Sequence, residues 1–276
     1  MIGGFYLMPP TSAISLDQAL EPDLERRFGG LARLYGDAGA ARVRAAHVAV
    51  IGIGGVGSWV AEGLARSGVA QLTLVDMDHV AESNVNRQVH AHSQSLGMAK
   101  VEAMRERIAL IHPGCQVHAV DAFVAADNWP AVLPAGVDAV VDACDQVRVK
   151  ALMADWARRT RARFVSVGAA GGKRYAHLVN MDDVSRVTHD PLLAQVRYQL
   201  RRNYGAPKDG KPMGVACVYS KEAVVQSQAA CDAAGGQSDG SLNCHGYGSV
   251  VGVTATFGFC AVSWVLDKIS SAAGKN

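Results

Sequence analysis

Residues His47 to Gly52 (HVAVIG) form a short apolar, β-branched run, and the glycine cluster Gly52-Ile53-Gly54-Gly55-Val56-Gly57 follows without a break. A strand that passes this abruptly into an amphipathic stretch, here reaching Arg66, leaves few folds open. It reads as the first strand, phosphate-binding turn and helix of a βαβ unit. Gln71 to Asp76 (QLTLVD) supplies the second strand and ends on an acidic residue. Gly52, Gly54 and Gly57 satisfy the spacing G-x-G-x-x-G. The glycines let backbone approach a phosphate at the helix N-terminus, and the acid accepts hydrogen bonds from ribose hydroxyls. Taken alone, the fingerprint fits a nicotinamide oxidoreductase as well as an enzyme that uses a nucleoside triphosphate.

The pattern continues down the chain. Met98 to Ile111 places Val101, Met104, Ile108 and Ile111 at helical spacing, and His112-Pro113-Gly114 stops it. Strands are predicted at Gln116 to Val120, Asp138 to Asp142 and Arg163 to Val167, with helices at 128–133 and 146–160 between them. Such alternation implies a doubly wound, largely parallel sheet of Rossmann-like type. After Gly168 the character changes: Gly168 to Gly172 is a glycine-rich turn, Arg174 to Val179 reads as an antiparallel strand, and Ala229 to Asn243 reads as a Gly/Ser/Ala-rich loop. The chain therefore divides into a helical segment over 1–46, a nucleotide-binding core over 47–168 and an extension over 169–276, integrated in one domain.

Composition narrows the function classes. With 49% hydrophobic and 19% charged residues the chain is globular, and a net charge of +2 is too small for a sequence-independent nucleic-acid clamp, so no DNA partner is expected. The six cysteines include no CxxC pair, which argues against both a disulfide framework and a structural zinc site. With no signal-peptide pattern at Met1 to Pro10, where Ile2 to Met8 is the only apolar piece, a reducing cytoplasm is expected. Residues 246–266 carry no charge and are long enough for a bilayer. Their Gly, Ser and Thr content suits a helix packed against protein or a second copy better than one in lipid.

The motifs downstream of Asp76 separate the two nucleotide readings. Asn84-Val85-Asn86-Arg87-Gln88, then Gly97-Met98-Ala99-Lys100, then Asp142-Ala143-Cys144-Asp145 supply fixed positive charge for a triphosphate and a strand-end acid for Mg²⁺. In this order the motifs resemble the ubiquitin-activating-enzyme-like ATP-binding fold of ThiF, MoeB and their relatives. Within it, Arg27 to Gly36 (RFGGLARLYG), Gly52 to Val69, Asn86 to Ala91 (NRQVHA) and Val253 to Ser263 (VTATFGFCAVS) are most similar to the tRNA threonylcarbamoyladenosine dehydratases. The resemblance implies that Gly52, Gly54, Gly55 and Gly57 form the nucleotide loop, that Asp76 binds the ribose, that Arg87 and Lys100 bind phosphate beside Asn84 and Gln88, and that Asp145 serves Mg²⁺. Arg87, Lys100 and Asp145 would be the catalytic set.

The implied reaction is ATP-driven loss of water from threonylcarbamoyladenosine beside the anticodon of a tRNA. ATP turns a carboxylate oxygen into a leaving group, and the neighbouring carbamoyl group closes a five-membered ring without a protein nucleophile. Two other activities remain open at this point: adenylation of a ubiquitin-like sulfur carrier, and a non-enzymatic sulfur relay that would engage a cysteine desulfurase or a sulfur-acceptor protein. Cys217 and Cys244 match family cysteines, the latter beside His245. The family also implies a homodimer with an Arg crossing between protomers. Gly30 occupies that position here, leaving Arg27 and Arg33 as candidates. For tRNA, Arg197, Arg201, Arg202, Lys208 and Lys211 interleave with Tyr198 and Tyr204, which suit stacking on unpaired bases, and Arg158, Arg159, Arg161 and Arg163 form a second basic group. The carbonyls of Gly168 to Gly172 are candidates for a monovalent cation, Na⁺ or K⁺.

Overall fold

In the computed structural model of the protein, residues 22–225 and 247–271 are described. The apolar piece Ile2 to Met8, the Ala229 to Asn243 loop, Cys231, Cys244 and His245 lie outside them. Two helices, α1 (Leu24–Phe28) and α2 (Gly30–Ala45), precede β1 (His47–Ile51), α3 (Gly57–Arg66) and β2 (Gln71–Val75). Then come α4 (Lys100–Ile111), β3 (Gln116–Val120), β4 (Ala139–Asp142), α5 (Val147–Thr160) and β5 (Phe164–Val167). The chain continues through β6 (Val179–Asp183), α6 (Pro191–Asn203), β7 (Ala216–Ser220) and α7 (Val251–Ser270).

The seven strands form one sheet in the order β3-β2-β1-β4-β5-β7-β6. Every pairing is parallel except β6 with β7. Period-two alternation explains why β1 is apolar throughout: Val48 and Val50 enter a core shared with α2, α3, α4 and α7, while Ala49 and Ile51 enter a second core under α5 and α6. The order reverses between β1 and β4, and a doubly wound sheet opens its ligand crevice beyond the carboxyl ends of the strands at such a point.

Of the uncharged run over 246–266, residues 251–266 lie in α7, which continues to Ser270. Its Val253, Phe257, Ala261, Val265 and Ile269 face the core, and Phe259 meets Trp59 of α3 edge to face at 5.9 Å. Among the described residues no helix is long and apolar enough to cross a membrane.

Two expected elements are corrected. Residues 128–133 form successive turns, because Pro130 has no N–H to donate and its ring crowds the preceding turn of a helix. The antiparallel strand begins at Val179, where 174 was expected. Glu222 explains the delay, since its carboxylate accepts the amides of Arg174 and Tyr175 that a strand ladder would need.

Candidate functional site

A cavity of about 530 Å³ occupies the reversal point between β1 and β4. Gly52, Gly54 and Gly55 after β1, Asp76 after β2, Arg87 and Gln88 before α4, Lys100 at the first turn of α4 and Asp145 after β4 all line it. Gly57 and Asn84 do not. Gly57 serves the turn itself: a Cβ there would overlap the Gly52 carbonyl oxygen. Gly52 has φ +86°, and a Cβ would lie 2.9 Å from the Cys144 amide nitrogen, so only glycine lets the two turns touch. Asn84 is buried and accepts the Ala81 amide at 3.0 Å, which makes it a local cap.

Asp76 fixes the nucleotide turn directly. Its Oδ2 accepts the Ile53 amide at 2.6 Å and its Oδ1 accepts the Asp78 amide at 2.8 Å. Burial raises the carboxyl above its ordinary pKa, opposed by the Lys100 charge and by these two amides. Lys100 is only 6% exposed and donates to Asp78 Oδ2 at 2.6 Å, with Asp76 Oδ1 at 4.0 Å. Asp78 is a site residue that sequence reasoning missed, although two positions along an extended chain return a side chain to the same side.

Arg87 is anchored from behind. Its Nη1 donates to Ser83 O at 2.6 Å and to Asn86 Oδ1 at 3.0 Å, and its own carbonyl accepts Trp59 Nε1 at 2.9 Å. Burial lowers its pKa without threatening its charge. Gln88 is 5% exposed, and its Oε1 has no hydrogen-bond partner among the described residues. Asp145 is half-buried, and its carboxylate makes no hydrogen bond or ion pair among the described residues.

These features fit a nucleoside triphosphate with Mg²⁺. Two cations, a glycine turn at a helix N-terminus and an orphaned buried amide oxygen face one space. No group of three or more metal-ligating side chains occurs among the described residues. The lone Asp145 carboxylate suits Mg²⁺, which takes one or two protein carboxylates and completes its shell from phosphate and water.

The far wall comes from Gly168 to Gly171, from Pro191, Leu192 and Gln195 of α6, and from Val224, Tyr247, Ser249 and Thr254. The described cysteines near the cavity are poor nucleophiles. Cys217 is fully buried and burial pushes its thiol well above the ordinary value. Cys144 is raised likewise by burial and by Asp142, to which its Sγ donates at 3.0 Å.

Several expected RNA contacts have partners or places within the fold, although Arg159 and Arg161 stay exposed. Arg197 Nη1 donates to Val184 O and Val187 O at 3.1 and 2.8 Å, and Tyr204 packs against the core under α6. Arg158 and Arg159 pair with Asp155 at 3.4 and 2.8 Å. Arg163 donates to Asp138 O at 3.4 Å, and Arg161 closes α5 in a left-handed conformation. Arg202, Lys208 and Lys211 are exposed as well, and Arg202 both donates to Tyr198 Oη at 2.9 Å and lies 5.8 Å from that ring. Arg27 donates to Ile111 O at 2.8 Å; neither it nor Arg33 lines the cavity.

Comparison with protein families matches residues 30–275 to the ThiF family. The tRNA threonylcarbamoyladenosine dehydratase of Escherichia coli K12 is 43% identical over 256 residues, covering 91% of this chain and 96% of that protein. The enzyme of the same description from Haemophilus influenzae is 42% identical over 247 residues, covering 89% and 94%. A crystal structure of the E. coli tRNA N6-threonylcarbamoyladenosine dehydratase in complex with ATP superposes with a TM-score of 0.80 at 41% identity, over 90% of this chain and 96% of that one.

Proposed function

Because the chain belongs to the ThiF family, and within it to the tRNA threonylcarbamoyladenosine dehydratases, we propose that it removes water from threonylcarbamoyladenosine in tRNA at the expense of ATP. The observation that carries this reading is the convergence of Asp76, Arg87, Lys100 and Asp145 on one cavity at the sheet's reversal point. ATP is the substrate that converts a carboxylate oxygen into a leaving group. Mg²⁺, held by Asp145, would neutralise phosphate charge.

The chain's own residues bind, orient and exclude water. Asp76 accepts hydrogen bonds from the ribose while pinning Ile53, so the glycine turn is shaped before the phosphates arrive. Arg87 and Lys100 stabilise the charge that develops on phosphate oxygens as the threonyl carboxylate attacks phosphorus. A phosphoanhydride bond breaks in that step, releasing pyrophosphate if the α-phosphorus is attacked or ADP if the γ-phosphorus is. Lys100 moves its ammonium from Asp78 toward those oxygens. The wall made by Gly168 to Gly171 and the first turn of α6 holds the threonylcarbamoyl group next to the activated carboxyl. The carbamoyl nitrogen or oxygen attacks that carbonyl carbon, and the activated oxygen departs with its phosphate or adenylate. Ring closure needs positioning and water exclusion; no protein nucleophile takes part.

The tRNA approaches over the Tyr198, Arg202, Lys208 and Lys211 end of α6, whose first turn is part of the cavity wall. The enzyme acts as a cytoplasmic homodimer. Of the carbonyls suggested for a monovalent cation, that of Gly172 accepts the Val225 amide, which leaves 168–171 as the candidates. A sulfur relay gains no support from Cys144 or Cys217, both raised in pKa by burial. The test is to incubate the protein with ATP, Mg²⁺ and threonylcarbamoyl-modified tRNA and to measure the mass of the modified nucleoside. Loss of one water, dependent on ATP, is the expected result; an unchanged mass with ATP consumed would sink the assignment.

A further inference from the structure

Directly behind the turn that carries Asp145 lies an ion pair that does not line the cavity. Asp142, the last residue of β4, and Lys150, on the second turn of α5, both have fully buried side chains and meet at 2.9 Å. The ammonium also donates to the Cys144 carbonyl at 2.9 Å and approaches the Asp142 carbonyl at 3.4 Å, so its three protons have three acceptors. The carboxylate is equally occupied. Its Oδ2 accepts Ser166 Oγ of β5 at 2.6 Å, and its Oδ1 accepts the Cys144 amide and thiol at 3.2 and 3.0 Å.

Five of these contacts end on Cys144, or on the carboxylate that holds Cys144, one residue before Asp145. The same turn is pinned to the nucleotide loop, since the Ala143 amide donates to Ile51 O at 2.8 Å and Gly52 lies against Ala143 and Cys144. A buried pair is not an efficient source of stability, because desolvation consumes most of its Coulomb energy, so its retention calls for a geometric reason. The geometry here supplies one.

We propose that Lys150 is a positioning residue for metal-assisted chemistry: clamped between the Asp142 carboxylate and the Cys144 carbonyl, it sets the 143–145 turn so that the Asp145 carboxylate stands in the cavity facing the phosphates. This rests on the proposed assignment of Asp145 to Mg²⁺. Partners that orient a metal ligand from behind typically matter 10- to 100-fold in metal affinity or activity.

The test compares four proteins: the parent, Asp145→Asn, the neutral pair Asp142→Asn/Lys150→Met, and Lys150→Arg. The neutral pair removes both charges together and so leaves none stranded. ATP binding is measured calorimetrically with Mg²⁺ and with a chelator, and amide hydrogen exchange is followed at residues 143–145. In the parent, Mg²⁺ tightens ATP binding; Asp145→Asn loses that gain. The neutral pair is expected to lose about tenfold or more of the gain, to keep its ATP affinity in chelator within about twofold of the parent, and to exchange the Cys144 amide faster. Lys150→Arg keeps the charge that folding requires but places a planar group where three tetrahedral donors are needed. It is expected to fold and to show the same loss in part, so the inference stays testable if the neutral pair does not fold. A parent-like Mg²⁺ gain and parent-like Cys144 exchange in whichever variant folds would overturn the inference. If Asp145→Asn alone keeps the Mg²⁺ gain, the metal assignment fails, and slow Cys144 exchange in the Lys150 variants would then end the positioning role as well.

Discussion

The Asp76 carboxylate reaches from the end of β2 to the glycine turn after β1, where its Oδ2 accepts the Ile53 amide at 2.6 Å. One side chain thus shapes the glycine turn and, in the proposed assignment, would also accept a hydrogen bond from a ribose. Burial raises its pKa above the ordinary 3.8. As pH falls, Asp76 takes up its proton earlier than an exposed carboxylate does, and the ribose loses its ionised acceptor. Adenosine-nucleotide affinity should therefore weaken on the acid side starting above pH 3.8, and Asp76→Asn should bind weakly with no such acid limb. Titration calorimetry across pH checks both; an acid limb retained in Asp76→Asn would assign it to another group.

Lys100→Ala should reduce ATP affinity by about 10- to 100-fold, the range of one charge-assisted contact, while leaving AMP binding less affected. Lys100 is buried, contrary to what its charge suggests. Of the two carboxylates it would abandon, Asp78 is 59% exposed and returns to water, but Asp76 is only 10% exposed and loses the charge that opposes its burial, so thermal stability should fall as well. Equal losses for AMP and ATP would place Lys100 away from the outer phosphates.

Acid should unfold the protein partly through His90. Both its ring nitrogens are buried without a partner among the described residues, and its pKa is pushed down to about 4, first by burial and then by the charges of Lys100, Arg107 and His92. The unfolded chain binds that proton near pH 6.5 and the folded protein only near pH 4. Stability from the neutral ring is therefore complete above pH 6.5 and is lost as pH falls toward 4, by up to about 3 kcal/mol. Denaturant melts from pH 7 to 4 should be flatter for His90→Phe, and an identical slope would remove His90 as a cause.

Cys217→Ala should keep most dehydration activity, because ring closure uses a group already on the substrate. The buried thiol packs under α6, so its loss should cost about 1 kcal/mol of stability. A folded Cys217→Ala protein without activity would revive covalent chemistry.

Arg202→Ala should weaken tRNA binding and make it less steep in salt, since each lost phosphate contact removes counterion release. Arg197→Ala should instead lower the melting temperature, because the Val184 and Val187 carbonyls lose their donor. If Arg202→Ala leaves the salt slope unchanged, the RNA path lies elsewhere.

Much of this architecture was legible in the sequence for a physical reason: strands buried on both faces are largely apolar over their length, and β1, β2, β4 and β5 appear within a residue of where such runs occur. The 128–133 helix does not form because Pro130 lacks an N–H and its ring crowds the preceding turn. The strand at Arg174 failed because Glu222 competes for its amides from 48 positions away. In the site, glycines and acids at strand ends announce themselves by type and order. Lys150 does not: in a sequence, a lysine on an amphipathic helix looks like a solvated one, and only the register of α5 on β4 shows it pointing inward. For the same reason Arg197 reads as an RNA contact, although carbonyls of its own fold already hold it.

The place of α7 in the wall bears on how the protein comes into being. Thr254 and the preceding Ser249 border the cavity, the Ser249 carbonyl accepts Asn86 Nδ2 at 3.0 Å beside Arg87, and the helix then runs back along α3. The floor of the cavity begins at Ile51, two hundred residues earlier. During translation a nascent chain that has already displayed its glycine turn, Arg87 and Lys100 still has an open groove in place of a pocket. Nucleotide is then held by an incomplete wall in partial products, and its stabilising mass action reaches full strength only once residues 251–270 have been made.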